Sequence, residues 1–140
     1  MQTTPVYVLD ACALLAVIKA ENGGQIVNNA YREAEDGKAK IIMNRVNLLE
    51  VYYGLINEFG TEIAGRILEQ VTESIVRITD LNEESLIEAG RIKSVYKISI
   101  ADSIATAEAS VSGGILLTAD HHEMDKVEQS ETNIKFMWIR

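Results

Sequence analysis

The chain has 140 residues with a formal net charge of -8, and 47% of its residues are hydrophobic with a single proline. That much apolar surface supports a real core and excludes disorder, while the charge excludes attachment to DNA by bulk positive potential, because non-specific affinity comes from Lys and Arg neutralising phosphates. Cys12 is the only cysteine, which excludes an intrachain disulfide and fits a reducing compartment; with no signal-like leader and no apolar run of roughly 18 residues, a soluble cytoplasmic protein without membrane contact is expected.

In chain order, PVYVL is apolar on both alternating faces, as suits a central parallel strand covered by helices on both sides. A helix follows at once through ACALLAVIKA and stops at Gly23-Gly24. A second helix, from about Gln25 to Glu35, ends near Gly37 and leads into the short strand AKIIM. NRVNLLEVYYGLINEFG reads as a helix with Asn44 as N-cap and Gly60 as its stop. The helix TEIAGRILEQVTE gives way to a third strand, SIVRIT. Asn82 caps the next helix, whose first turn carries Glu83 and Glu84 where the macrodipole favours acids. An alanine-rich helix, IADSIATAEASVS, ends at Gly113-Gly114; the strand ILLT, a short acidic helix and the strand IKFMWI complete the chain. No repeat or linker divides this pattern, so residues 1–140 are expected to form one α/β domain. Its architecture should be a three-layer α/β/α sandwich with a mostly parallel central sheet of about five strands.

Four acids fall at telling places in that pattern. Asp10 and Asp120 end apolar strands, and Glu50 and Asp102 lie near the start of helical runs. Helices that return between parallel strands run antiparallel to them, so helix beginnings and strand carboxyl ends share one edge of the sheet, where ligands of such folds bind. All four carboxylates are expected to face one cleft. Each has a purely structural alternative. Asp10 can cap the helix that follows it, and Ser99-Ile100-Ala101-Asp102 matches a capping box. Glu50 shares a narrow polar arc with Asn47, Gly54, Asn57 and Glu58 that could be a solvent stripe, and aspartates are common in loops such as that of Asp120.

Capping explains the four singly but not together. Two carboxylates about 5 Å apart repel by roughly 3 kcal/mol at an effective dielectric near 20. A divalent cation reverses that sign, and an all-oxygen set without paired Cys or His suits Mg²⁺ or Mn²⁺ better than Zn²⁺. Since Mg²⁺ takes only one or two carboxylates and leaves room for phosphate, the set points to phosphodiester hydrolysis.

VYVLDACALLAVI, NRVNLLEVYYGL, SIADSIATAEA and GGILLTADHHEM together resemble the PIN-domain ribonucleases, in particular the VapC-type toxins of bacterial and archaeal toxin-antitoxin pairs. The resemblance spans essentially the whole chain, and its acids in order are Asp10, Glu50, Asp102 and Asp120. It implies a Mg²⁺- or Mn²⁺-dependent endoribonuclease that hydrolyses single-stranded or exposed RNA with metal-activated water. Asp10 and Asp102 would ligate the metal with Glu50 and Asp120 assisting, a cognate antitoxin would control the enzyme, and a homodimer is expected. The chain departs from the pattern at Cys12, where such domains often have Ser or Asn, and after Asp120, where His121-His122-Glu123-Met124 replaces the usual nearby aromatic residue.

Thr118 is a candidate hydrogen-bond partner of Asp120 or of a metal's water, and Asn47 a candidate supporting residue on the Glu50 helix. Arg91, Lys93 and Lys97 are candidates for RNA phosphates, against the simpler reading of a solvated helix face. Cys12 has no base identifiable beside it, which disfavours a catalytic thiol. His121 and His122 read as polar residues at a helix start, and Tyr52-Tyr53 and Met137-Trp138 as packing residues. Two competing functions remain: a non-catalytic PIN-like module that binds a protein and keeps its acids as caps, and a receiver-like phosphoacceptor domain. The second fits poorly, because the acids are not paired after the first strand and Lys135 lies inside the last one.

Overall fold

The computed structural model describes residues 4–140. Its elements follow the expected order: β1 (Val6–Leu9), α1 (Ala11–Ile18), α2 (Gly24–Glu35), β2 (Lys40–Asn44), α3 (Arg45–Phe59), α4 (Thr61–Thr72), β3 (Arg77–Thr79), α5 (Glu83–Tyr96), α6 (Ile100–Ser112), β4 (Ile115–Thr118), α7 (His121–Ser130) and β5 (Lys135–Trp138). The five strands form one sheet in the order β3-β2-β1-β4-β5, with every neighbouring pair parallel. The sheet is thus wholly parallel, where a mostly parallel one was expected.

Period-two alternation along the strands divides the core into two layers. Tyr7, Leu9 and Leu117 point into a cluster with α1 to α4, whereas Val8 and Leu116 point into a second cluster with α5, α6 and α7. Helices on both faces make the three-layer sandwich. From β1 the chain steps outward to β2 and β3, then crosses back to β4 on the other side of β1. The strand order therefore switches between β1 and β4, and in open parallel sheets such a switch is where a ligand crevice forms at the carboxyl ends.

Local chemistry fixes the element ends near that crevice. Asn44 ends β2 and caps α3 at once, its Oδ1 accepting from the Val46 N–H at 2.9 Å. Asn82 and Ser85 form a reciprocal capping box at the start of α5. Gly23, at φ +92°, brings the α1–α2 turn against the end of the chain: an added Cβ would sit 2.3 Å from the Ile139 carbonyl oxygen. Among the described residues no helix is long and apolar enough to cross a membrane.

Candidate active site

Asp10 follows β1 and caps α1, with Oδ1 accepting from the Ala13 N–H at 2.8 Å. Its other oxygen, Oδ2, is buried and has no hydrogen-bond partner, and the residue is only 1% exposed. The capping reading therefore accounts for Oδ1, and the one other donor acting on the carboxyl group is the Thr118 hydroxyl, which forms no bond to Oδ2. Asp120, beyond β4, likewise caps α7 with Oδ1, which accepts from the Glu123 N–H at 3.2 Å.

Asp102 behaves differently from its capping alternative. The Ser99 hydroxyl accepts from the Asp102 N–H at 3.1 Å, but the reciprocal bond from the Ser99 backbone to the Asp102 carboxyl is not formed. The box is half built. Asp102 is buried all the same, in the first turn of a helix whose residues from Asp102 to Ala109 are all buried. Small side chains at Ala105, Ala107 and Ala109 let α6 lie close to the sheet.

Glu50 is half-buried on α3, and two asparagines join that helix to α6. Asn47 Nδ2 donates to the Ala101 carbonyl at 2.9 Å, and Asn44 Nδ2 donates to Glu108 Oε1 at 3.0 Å. Asn47 is 1% exposed, so the polar arc that contains it is no solvent stripe at that end, and its Oδ1 has no partner. Farther along α3 the arc does reach solvent at Asn57 and Glu58, and Leu49 and Tyr53 are exposed as well. The buried Asn44–Glu108 pair escaped sequence reading. Its only trace there was an acid within the small-residue run ATAEAS.

The carboxyl groups act on one another. Burial pushes Asp10 up to about 6, against the Thr118 hydroxyl and the Ala13 N–H, which favour the ionised form; Asp120 and Glu50 raise it further. Asp102 is pushed up to about 8, by burial first, then by the facing Asp120, and then by Asp10 and Glu50. Glu50 is also raised, by burial and then by Asp120. Each of the four thus enters the field of another. Thr118, fully buried, bridges the pair of strand-end acids: its hydroxyl acts on Asp10 and accepts from the Asp120 N–H at 3.1 Å.

Cys12 lies in the same field, and burial, followed by Asp10, Asp120 and Asp102, pushes its thiol up to about 12. It stays protonated at neutral pH, which removes the nucleophilic-thiol reading.

The donor set fits a hard cation, with all-oxygen ligands and an unpartnered buried carboxylate oxygen at the crevice. Among the described residues no three His, Cys, Asp or Glu side chains are grouped closely enough to hold an ion together. One or two carboxylates suffice for Mg²⁺, so pairwise ligation matches this geometry better than a cage of four.

The basic candidates are engaged elsewhere. Arg91 is bound to Glu88 at 2.7 Å and to Glu131 at 2.8 Å, and Lys93 Nζ donates to the Ile98 carbonyl at 2.7 Å. Lys97 is the exposed left-handed C-cap of α5. A groove of about 620 Å³ between α1, α2 and α4, lined by Leu14, Val17, Tyr31, Arg32, Ile67 and others, contains none of the four acids.

The PIN domain family model matches residues 7–129. No curated protein sequence matches the chain. Among solved structures, the chain is similar to the DNA-bound VapBC from Salmonella typhimurium, with 15% identity, TM-score 0.76 and coverage of 97% of this chain and 99% of that one. VapBC2 from Rickettsia felis, bound to a DNA fragment from its promoter, gives 17% identity and TM-score 0.72 over 95% and 98% of the two chains. A toxin-antitoxin complex from Klebsiella pneumoniae gives 13% and 0.66 over 92% and 98%.

Proposed function

The chain belongs to the PIN domain family, and from that premise we propose that it is a Mg²⁺- or Mn²⁺-dependent endoribonuclease, the toxin half of a type II toxin-antitoxin pair. The observation that carries this reading is the buried, unpartnered Oδ2 of Asp10 at the strand-order switch, in the field of Asp120 and Glu50. Asp10 and Asp102 are the proposed ligands, with Glu50 and Asp120 assisting. When bound, the cation supplies neutralisation of the scissile phosphate and a lowered pKa for the attacking water. The chain's own residues prepare that site. Thr118 favours the ionised form of Asp10, the Ala13 N–H fixes its Oδ1, and Asn47 and Asn44 hold the Glu50 helix against α6.

The remaining assignments rest on the same reading. Residues 1–140 act as one cytoplasmic nuclease domain, of which residues 1–3 lie outside those described. A cognate antitoxin is the proposed partner, supported by the likeness to the Klebsiella complex, and the groove between α1, α2 and α4 is a suitable seat for it. Leu49 and Tyr53, exposed on α3, support a homodimer. With Arg91 and Lys93 held within the fold, Lys97 is the freest of the three for RNA phosphate.

A non-catalytic module has one observation in its favour: Asp10 and Asp120 each cap a helix with Oδ1. Titration with Mn²⁺ by calorimetry, paired with cleavage assays on single-stranded RNAs with and without the metal, separates the two. Saturable binding with metal-dependent cleavage is expected. Absence of both at millimolar metal would leave the module.

A further inference from the structure

At the carboxyl edge of the sheet, three rings form a ladder beside the acidic crevice. Trp138 ends β5 opposite Thr118 in the strand register. Phe136, two residues earlier on the same strand face, stacks on its indole at a centroid distance of 5.9 Å and 16°. His121, the residue after Asp120, stacks on the indole at 3.8 Å and 11°. The indole is itself held, with Nε1 donating to Glu128 Oε2 at 3.0 Å.

The outermost ring is fixed yet open. His121 Nδ1 lies 2.8 Å from Asp125 Oδ1, and Nε2 lies 2.9 Å from the Arg140 carbonyl oxygen. The side chain is nevertheless 50% exposed. One face rests on the indole and both nitrogens are occupied, which leaves the opposite face of the ring and its carbon edge to account for the exposed area. Arg140 closes the outer edge of the ladder: its carbonyl oxygen meets His121 Nε2, while its guanidinium donates to the Asn22 carbonyl at 2.6 Å. An aromatic plane locked in place at the rim loses little entropy when a flat ligand stacks on it.

We propose that the open face of His121, backed by Trp138 and Phe136, is a shelf on which one nucleobase of single-stranded RNA stacks next to the scissile phosphate. The proposal rests on the ribonuclease reading and adds to it how the substrate is seated. Stacking tolerates any base, because every base has a π-face, so the shelf positions RNA without fixing a cleavage sequence. It also suits a chain of net charge -8, which has little bulk positive potential to hold a phosphate backbone.

Trp138 is the only tryptophan in the chain, so its fluorescence reports on the ladder directly. The probe is a methylphosphonate-linked hexa-adenylate, whose neutral backbone is not a phosphodiester substrate, compared with its abasic counterpart. With the wild-type protein in Mg²⁺, the base-bearing oligomer should quench Trp138 saturably and the abasic one should not. His121→Ala should weaken that binding about 5- to 150-fold, the range expected for one stacked base. On natural RNA it should raise KM with kcat and metal affinity retained, and His121→Phe should restore the binding. Equal quenching by the abasic oligomer, or an unchanged affinity and KM in a folded His121→Ala variant, would overturn the shelf while leaving metal-dependent cleavage intact. Base-specific quenching in a protein that cleaves no RNA would sustain the shelf and overturn the nuclease.

Discussion

Two groups of carboxylates in this molecule meet opposite electrostatic fates. On the α5–α7 side, Glu88 and Glu131 flank Arg91, Tyr96 donates its hydroxyl proton to Glu131, and Ser110 does the same to Glu88. Both glutamates are held below the ordinary range, first by Arg91. At the crevice, Asp10, Glu50 and Asp102 are all raised, by burial first and then by neighbouring carboxylates. A charge cluster that serves the fold carries its own counterion. A cluster built without one stores repulsion that a cation from outside can relieve, and perturbed acids in a cleft mark a functional site for that reason.

The largest difference between the two groups should appear in activity. Asp10→Asn is expected to lower RNA cleavage by on the order of a hundredfold or more, as when one preorganised electrostatic group is removed. Asparagine keeps the cap, so the apo fold should gain stability, by roughly 3 kcal/mol at pH 8, for a carboxyl raised from 3.8 to about 6. Glu131→Gln should do the reverse, leaving cleavage unchanged and costing about 1 kcal/mol in urea unfolding. Near-normal cleavage by Asp10→Asn would reduce that residue to a cap.

Metal should act on one group alone. Mn²⁺ at a hundred times its dissociation constant adds about 2.7 kcal/mol to a protein that binds it only when folded, and at this chain length raises the melting temperature by on the order of 10 °C. Asp102→Asn should abolish most of that rise. Retention of the full rise, together with a lower apo melting temperature, would return Asp102 to a structural role.

The pH dependence separates the groups by sign. Asp10 and Asp102 are raised from 3.8 to about 6 and about 8, so between about pH 4 and pH 8 the folded chain holds protons that the unfolded chain has released. Apo stability should therefore fall as pH rises through that window. Glu88 and Glu131 are lowered from 4.5, and their contribution should be lost as pH falls below that value. Thermal melts in EDTA from pH 3 to pH 9 test both limbs, and a flat profile above pH 5 would contradict the stored repulsion. The smallest effect is a control outside both groups: Asn82→Ala, which removes the α5 cap, should cost about 1 kcal/mol and leave metal affinity unchanged.

Much of this was readable from the residues in order. Apolar runs with helical or alternating spacing, Asn44 and Asn82 as caps, and glycine stops at Gly60 and Gly113 placed every element within a few residues, because these signals act within one or two turns of chain. The positions of the four acids relative to strand ends and helix starts followed from the same local rules. What the tertiary structure alone decided is which polar atoms are paired. The free Oδ2 of Asp10, the half-built box at Asp102, the Asn44–Glu108 bond and the His121–Trp138 stack join residues 17 to 64 positions apart or depend on burial by them. The same holds for Arg91: its spacing from Lys93 and Lys97 is legible in the sequence, but its commitment to Glu131, 40 residues away, is not. Local sequence determines where a side chain starts, and only packing determines what it meets, since the satisfaction of a buried polar group depends on every element that closes over it.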